Sequence, residues 1–275
     1  FVDDNFIGNK KKLMEDILPP MIDWMERHGN PFKFLTEASI NLADDETLMS
    51  LMVKAGFNDV FIGIETPDEG SLAECKKTQN KNRDLITCIK KIQHFGLEVQ
   101  GGFIVGFDHD NPTIFNRMVE FIQESGIVTA MVGLLNAPKG TKLYQRLTRE
   151  GRMEEDFSGD NTNFTMNFTP KMDKGLLVKG YESMVSTIYS PKYYYQRVRN
   201  FLKEFKADES HSSDVNAVNI LAFLRSIVRL GIFGRERRYY WRLLTWSLFK
   251  RPKLFPVAVR FSIYGFHFRK IYQKY

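Results

Sequence analysis

The run Gly101-Gly102-Phe103-Ile104-Val105-Gly106-Phe107-Asp108 leaves few folds open to this chain. It is apolar, rich in β-branched and aromatic residues, opened by paired glycines and closed by a carboxylate. Its length and flanks make it a buried strand rather than a buried turn of helix. A second run has the same plan: Val60-Phe61-Ile62-Gly63-Ile64 ends on Glu65 and Thr66. Two such strands point to a parallel α/β sheet or barrel, and in those folds the C-terminal ends of the strands carry the site.

The segments around these two runs repeat the arrangement. Phe1 to Phe6 reads as a strand, and Lys11 to His28 as a helix broken or tilted at Pro19-Pro20. Phe32 to Ile40 is extended, and Asp44 and Asp45 offer N-caps to a helix with Leu48, Leu51, Met52 and Ala55 on one face, stopped at Gly56. After the strand Val60 to Glu65, the polar loop Thr66 to Lys81 has the length associated with function or disorder. Asn82 to Phe95, Pro112 to Glu124 and Thr141 to Glu150 read as helices, with strands Leu97 to Phe107 and Ile127 to Leu135 between them. Five units thus start near residues 1, 32, 60, 98 and 127. Units of about thirty residues are what a right-handed parallel crossover needs. The chain opens on Phe1 inside a strand-like run, so we expect a fragment seen from its second unit or later.

After Gly151-Arg152 the pattern changes, which divides the chain into 1–152 and 153–275. Asp156 to Pro170 is polar and aromatic and reads as a surface segment lying against the barrel. From Lys174 onward the chain is helical: Leu176 to Tyr189, a Ser190-Pro191 break, Tyr193 to Phe205, a second break at Asp208 to Ser213, and Val215 to Leu230. The net charge of +6 is unevenly spread: from His211 to the end there are 13 Lys and Arg against Asp214 and Glu236. Residues 1–210 carry 26 basic and 31 acidic groups, so the basic character belongs to the tail. Arginines interleaved with Trp241, Trp246, Phe249, Phe255, Phe261, Phe266 and Phe268 suit single-stranded nucleic acid, a membrane surface, or helices whose arginines snorkel. Peripheral membrane contact through 215–275, or packing on another domain, is favoured over nucleic acid. Cys75 and Cys88 cannot build a disulfide scaffold or a four-cysteine metal site, and they suit a reducing cytoplasm. No apolar run reaches the length of a membrane-spanning helix.

On residues alone, several candidates have two readings. Asp3-Asp4 is either part of a site or a solvated turn or cap. Glu65, after five apolar residues, favours a site. Gly101, Gly102 and Gly106 either relieve packing or let a ligand approach backbone. Asp108-His109-Asp110 invites a metal, but a helix cap at Asn111-Pro112 is simpler. Cys75 beside Lys76 and Lys77 reads as an incidental loop thiol, and Gly140-Thr141 as a turn into a helix rather than a phosphate loop.

Taken in order, Asp3-Asp4-Asn5-Phe6, Ala55-Gly56-Phe57 with Phe61-Ile62-Gly63-Ile64-Glu65-Thr66, Gly102 to Asp110, and Pro138-Lys139-Gly140-Thr141-Lys142-Leu143-Tyr144 resemble the radical S-adenosylmethionine enzymes. They are closest to the branch with an N-terminal cobalamin-binding domain. Glu150-Gly151-Arg152, the Tyr189-Ser190 break and the helix around Tyr193 to Tyr195 resemble the C-terminal extension of the hopanoid methylases.

The resemblance implies a partial parallel β/α barrel followed by a mainly α-helical domain. It implies S-adenosylmethionine across the strand ends, a 4Fe-4S cluster held by a CxxxCxxC loop, and cobalamin. The cluster loop and the cobalamin domain are expected upstream, as a missing N-terminal partner. Carried over by position, Asp3, Asp4 and Asn5 would contact the methionyl amino group. Glu37 and Ser39 stand at the next strand end, and Glu65 and Thr66 lie near the ribose or carboxylate. Gly102 and Gly106 lie along the adenine with Asp108 beyond them, and Leu134 and Asn136 close the series. The expected reaction is methylation of an unactivated carbon of a lipid-like substrate. Alternatives are a radical rearrangement or ring closure, or a non-catalytic β/α binding module tethered by its basic tail.

Overall fold

The computed structural model describes residue 1 and residues 4–154, 166–206 and 217–272. Four strands, β1 (Phe34–Glu37), β2 (Phe57–Glu65), β3 (Glu98–Val105) and β4 (Ala130–Leu134), form one parallel sheet in the order 1-2-3-4. Among the described residues of the first expected strand, Phe1 and Asp4 to Phe6, none is in a strand. Asp4 and Asn5 make a turn and Phe6–Asn9 a short 3-10 turn, because Asn9 caps the following helix by accepting from the Lys12 amide. That helix changes its hydrogen-bonding pattern just ahead of its prolines. The chain runs through a π-helical turn at Leu13–Ile17 into α1 (Leu18–Arg27), and Pro19-Pro20 fall in α1's first turn, where an amide proton is not needed.

The connecting helices start where short polar side chains can satisfy their free amides. Asp45 caps α2 (Glu46–Lys54) at the Leu48 amide, and Asp68 caps α3 (Glu69–Glu74) at the Ser71 amide. Asp84 caps α4 (Leu85–His94), while α5 (Ile114–Ser125) ends on Gly126 in the left-handed conformation. Thr141 caps α6 (Lys142–Arg149) at the Tyr144 amide, so Gly140-Thr141 is the turn into a helix. The loop expected at Thr66 to Lys81 contains α3 and a 3-10 turn at Thr78–Asn80.

The helical region packs onto the sheet's free edge. It comprises α7 (Lys174–Tyr189), α8 (Pro191–Glu204), α9 (Ala217–Ser226), α10 (Arg237–Lys250) and α11 (Phe255–Tyr272). Two carbonyls of β4 point away from β3, and two buried tyrosines of α7 close them. Tyr181 donates to the Val132 carbonyl at 2.8 Å and Tyr189 to the Ala130 carbonyl at 2.7 Å. An edge strand that would otherwise offer unpaired backbone is thereby capped. Arg197 of α8 is fully buried beside it, donating to Gln123 Oε1 and to the Ile188 and Val128 carbonyls. Buried apolar residues continue from Ile7 through the sheet to Phe261 on α11.

The two faces of the sheet differ. Val60, Ile62, Ile64, Val99, Phe103, Val105, Ala130 and Val132 are buried. The alternate residues, among them Leu35, Glu37, Phe61, Gly63, Glu65, Gly102, Ile104 and Met131, form a half-open face on which Leu35 is 43% and Met131 54% exposed. Among the described residues no helix is long and apolar enough to cross a membrane.

Candidate functional site

Glu65 is the residue at which β2 stops being a strand. Its φ is +67°, a left-handed conformation that costs a non-glycine residue about 1–3 kcal/mol and clusters at functional sites. The pairing with β3 slips between Gly63 and Glu65, and the Thr66 amide turns back to donate to the Ile64 carbonyl at 2.9 Å. This bulge aims the Glu65 carboxylate back over the strand, where Oε1 accepts from Lys77 Nζ at 2.8 Å. The pair lies where a side chain at position 63 would stand: a Cβ there would be 2.6 Å from Glu65 Oε1 and 2.9 Å from Lys77 Nζ. Glycine at 63 leaves room for this pair to lie over the strand, and a side chain there would push the two flexible side-chain ends aside.

The floor of this ledge is fixed from below. Asn80 is fully buried and donates through Nδ2 to the Gly63 and Ile64 carbonyls, and its Oδ1 has no hydrogen-bond partner. Thr66 is also fully buried, its hydroxyl oxygen accepting from the Asp68 amide. Gly63 stands opposite Gly102, and Gly102 opposite Met131, so a shallow row crosses three strands. The Phe61 ring fills the space over Gly102, where a Cβ would meet Cζ at 2.8 Å.

The next strand ends are tied to each other more tightly. Gly106 has φ +106°, and its amide and that of Phe107 donate to Asp110 Oδ2 at 2.8 and 3.1 Å. The other Asp110 oxygen accepts from Ser71 Oγ. Arg152 forks onto both oxygens of Asp108 at 2.8 and 3.1 Å, with Arg146 and Lys171 alongside. Burial opposes ionisation of Asp108, but the guanidinium groups outweigh it and hold its carboxyl below the usual carboxylate range. Glu74 completes the network, accepting from Arg146 and from the Asp108 amide. Asp108 and Asp110 thus brace strand ends, and among the described residues no three His, Cys, Asp or Glu side chains are grouped to hold a metal.

Asn5 and Ser39 are brought together, with Asn5 Oδ1 accepting from the Ser39 amide and hydroxyl at 3.1 and 3.3 Å. Asp4 is exposed in the turn before them, and Glu37 is exposed at the end of β1. Leu134 is buried at the end of β4, where the Asn136 side chain donates to its carbonyl and accepts from the Asn167 amide. Asp3, the stretch 156–165 and the break at 208–213 lie outside the described residues. The structure adds Lys77, Asn80, Phe61, Arg146 and Arg152. Only the length of the 66–81 loop signalled the first two. Cys75, next to this loop's lysines, is no activated thiol, since burial pushes it up.

The sequence of the chain has clear relatives. An uncharacterized methyltransferase of Synechocystis sp. is 36% identical over 97% of this chain and 50% of its own length. The hopanoid C-2 methylase of Rhodopseudomonas palustris is 32% identical over 88% of this chain and 46% of its own. The chain is similar in sequence to the hopanoid C-2 methylase and to other proteins named as methyltransferases. A bacteriochlorophyllide d C-8(2)-methyltransferase of Chlorobaculum tepidum is a more distant relative, 24% identical over 69% of the chain. Residues 141–275 match a family model described as a domain of unknown function, DUF4070. The chain spans about half the length of the curated relatives it matches. In this chain the strand runs end on a ledge where Glu65, Lys77 and Asn80 converge.

Proposed function

We propose that this chain forms the S-adenosylmethionine-binding and substrate-facing part of a cobalamin-dependent radical S-adenosylmethionine methyltransferase, acting on an unactivated carbon of a hydrophobic, lipid-like substrate. The observation that carries this reading is the match to the hopanoid C-2 methylase over 88% of the chain, at 32% identity. The ledge supports it chemically. A sulfonium ligand with an amino-acid end and a ribose needs carboxylates for its hydroxyls and ammonium, and a cation for its carboxylate. Glu65, Glu37 and Lys77 offer these groups on one face of the sheet. The unpartnered Asn80 Oδ1 adds a buried acceptor beneath them. When bound, S-adenosylmethionine supplies the activated sulfonium centre. Glu65 and Lys77 would position it against the half-open face formed by Phe61, Ile104 and Met131.

The residues of this chain do not fit a 4Fe-4S cluster. Its two cysteines, Cys75 and Cys88, are fewer than the cluster needs. In this reading cluster and cobalamin are held by protein outside these 275 residues. A lipid-like substrate also suits a basic, aromatic tail that rests on the cytoplasmic face of a bilayer. The test uses the full-length gene product reconstituted anaerobically with iron, sulfide and cobalamin, assayed for 5'-deoxyadenosine and for a methylated lipid. Both products support the proposal. Deoxyadenosine without methyl transfer moves the assignment to a rearrangement or ring closure. Neither product, with S-adenosylmethionine failing to bind, returns the chain to a β/α binding module.

A further inference from the structure

The helical region contains a cavity of about 500 Å³ between α8 and α10, far from the sheet's C-terminal ledge in sequence and lined by ten residues of those two helices alone. Five of the ten are cations: Lys192, Arg199 and Lys203 on α8, and Arg238 and Arg242 on α10. None is a carboxylate. Gln196, Asn200, Tyr195, Tyr239 and Leu243 complete the wall.

This arrangement works against the fold unless an anion enters it. Arg199 and Lys203 are four residues apart on one helix, as are Arg238 and Arg242 on the other, so each pair sets like charges on adjacent turns. Among the described residues none of the five makes an ion pair. The acid nearest in sequence to the α10 cations, Glu236, is committed to Arg269 at 2.6 Å. The opposite holds at the ledge, where Asp108 has three cationic neighbours and every arginine of the network has an acid.

The cavity is also pre-shaped. The guanidinium of half-buried Arg199 lies 4.9 Å above the Trp246 ring, and its buried Nε has no hydrogen-bond partner. It is thus held flat without its hydrogen-bonding capacity being used. Tyr195 and Tyr239 stack with ring centroids 6.2 Å apart and form a firm floor with buried Leu243. A planar fork with adjacent flexible ammonium groups, amide donors and a phenol matches an oxyanion with several equivalent acceptors.

We propose that this cavity is a binding site for a phosphate group, presented either by a small soluble phosphate or by the head of an anionic lipid. The site stands independently of methyl transfer, since no residue of it belongs to the ledge.

The test measures binding to the full chain at constant ionic strength, with inorganic phosphate and glycerol phosphate in one arm. The other arm uses vesicles of phosphatidic acid in phosphatidylcholine against phosphatidylcholine alone. Saturable binding is expected in at least one arm. Arg238→Gln with Arg242→Gln, both at exposed positions, should weaken it by roughly ten-fold or more, because two charge-assisted hydrogen bonds are lost. Arg199→Gln should do the same, and Lys54→Gln on α2, an exposed position outside both the cavity and the helical region, should change binding by less than about two-fold, as expected of an exposed charge. Binding to the soluble anions identifies a small phosphate, and binding to vesicles only identifies a lipid head. No saturable binding in either arm overturns the proposal. So does binding that all these substitutions weaken equally, which is diffuse attraction to a basic surface.

Discussion

Arg260 of α11 reaches 162 residues back along the chain to ion-pair with Glu98, the first residue of β3. The contact sits at the N-terminal end of the sheet, opposite the ledge, and fastens the last helix to the start of a central strand. Asp59 on β2 stands opposite Glu98, so one guanidinium lies near two acids, Glu98 buried and Asp59 half-buried. Burial is the main reason that both carboxyls are raised, and Arg260 only partly offsets it, which leaves Glu98 pushed up to about 7.

That value sets a pH dependence of stability. Glu98 titrates near its ordinary value in the unfolded chain and near 7 in the folded one, so between these limits the folded state holds the extra proton. The contribution of Glu98 to stability is greatest at the acid end and falls as pH rises through about 7. Denaturant midpoints measured from pH 5 to 8 should fall over that range. Glu98→Gln, which keeps an acceptor for Arg260 and a donor for Asp59, should flatten the profile; an unchanged profile would remove Glu98 from this role.

Glu65 allows stability and ligand binding to be separated. Glu65→Gly removes the strain of the left-handed backbone and should raise stability by about 1 kcal/mol. Glu65→Gln keeps the strain and loses the charge, and stability should change little. Both should weaken S-adenosylmethionine binding, followed by equilibrium dialysis, by roughly ten-fold, the worth of one charge-assisted hydrogen bond. If Glu65→Gly destabilises the chain and leaves binding intact, the conformation serves the fold alone.

How far this was legible in the sequence differs by region. Strands β2 and β3 were readable because an apolar run of that length, ended by a polar group and flanked by helical periodicity, fits little besides a strand of a covered parallel sheet. The caps at Asp45 and Thr141 were readable because each is a local three-residue relation. The apolar start at Phe1 misled because it resembles a strand, whereas from Asp4 onward the chain turns, with Asn5 and Asn9 making side-chain bonds that periodicity does not register. Lys77, Arg146 and Arg152 were not legible as site neighbours. Arg146 and Arg152 also meet the nearby Glu150, but the partners that place these three cations at the strand ends, Glu65, Glu74 and Asp108, stand between 12 and 72 residues away along the chain, and nothing local says which one each meets.

The capped sheet edge predicts a graded loss of stability. Tyr181→Phe and Tyr189→Phe each leave a buried carbonyl of β4 without its donor while keeping the ring, and each should cost about 1–3 kcal/mol in chemical denaturation. Arg197→Met should cost more than either. Arg197 donates to one side-chain and two backbone oxygens from a fully buried position, so about 3 kcal/mol or more is expected. No loss in the two tyrosine variants would show that ring packing rather than hydrogen bonding closes the edge.

The proposed membrane contact has a definite surface. Along α9 and the π-helical turn that follows it at Ile227–Ile232, Val218, Leu221, Leu224, Val228 and Ile232 are each 47–73% exposed, with Phe233 at 78% beyond them. They recur at three- and four-residue intervals, so they form one stripe, and Arg225 and Arg229 accompany it. Exposed aliphatic side chains flanked by arginines suit the boundary between lipid head groups and acyl chains, where each buried methylene contributes about 0.8 kcal/mol. Leu221→Glu with Val228→Glu should leave the folded core intact, since neither residue is buried, and should abolish flotation of the chain with phosphatidylglycerol vesicles. Raising the salt concentration should weaken flotation of the unaltered chain without abolishing it, because burial of the stripe is not screened. If the double variant floats as well as the unaltered chain, and salt alone releases both, the stripe takes no part and the arginines act only as a diffuse charge.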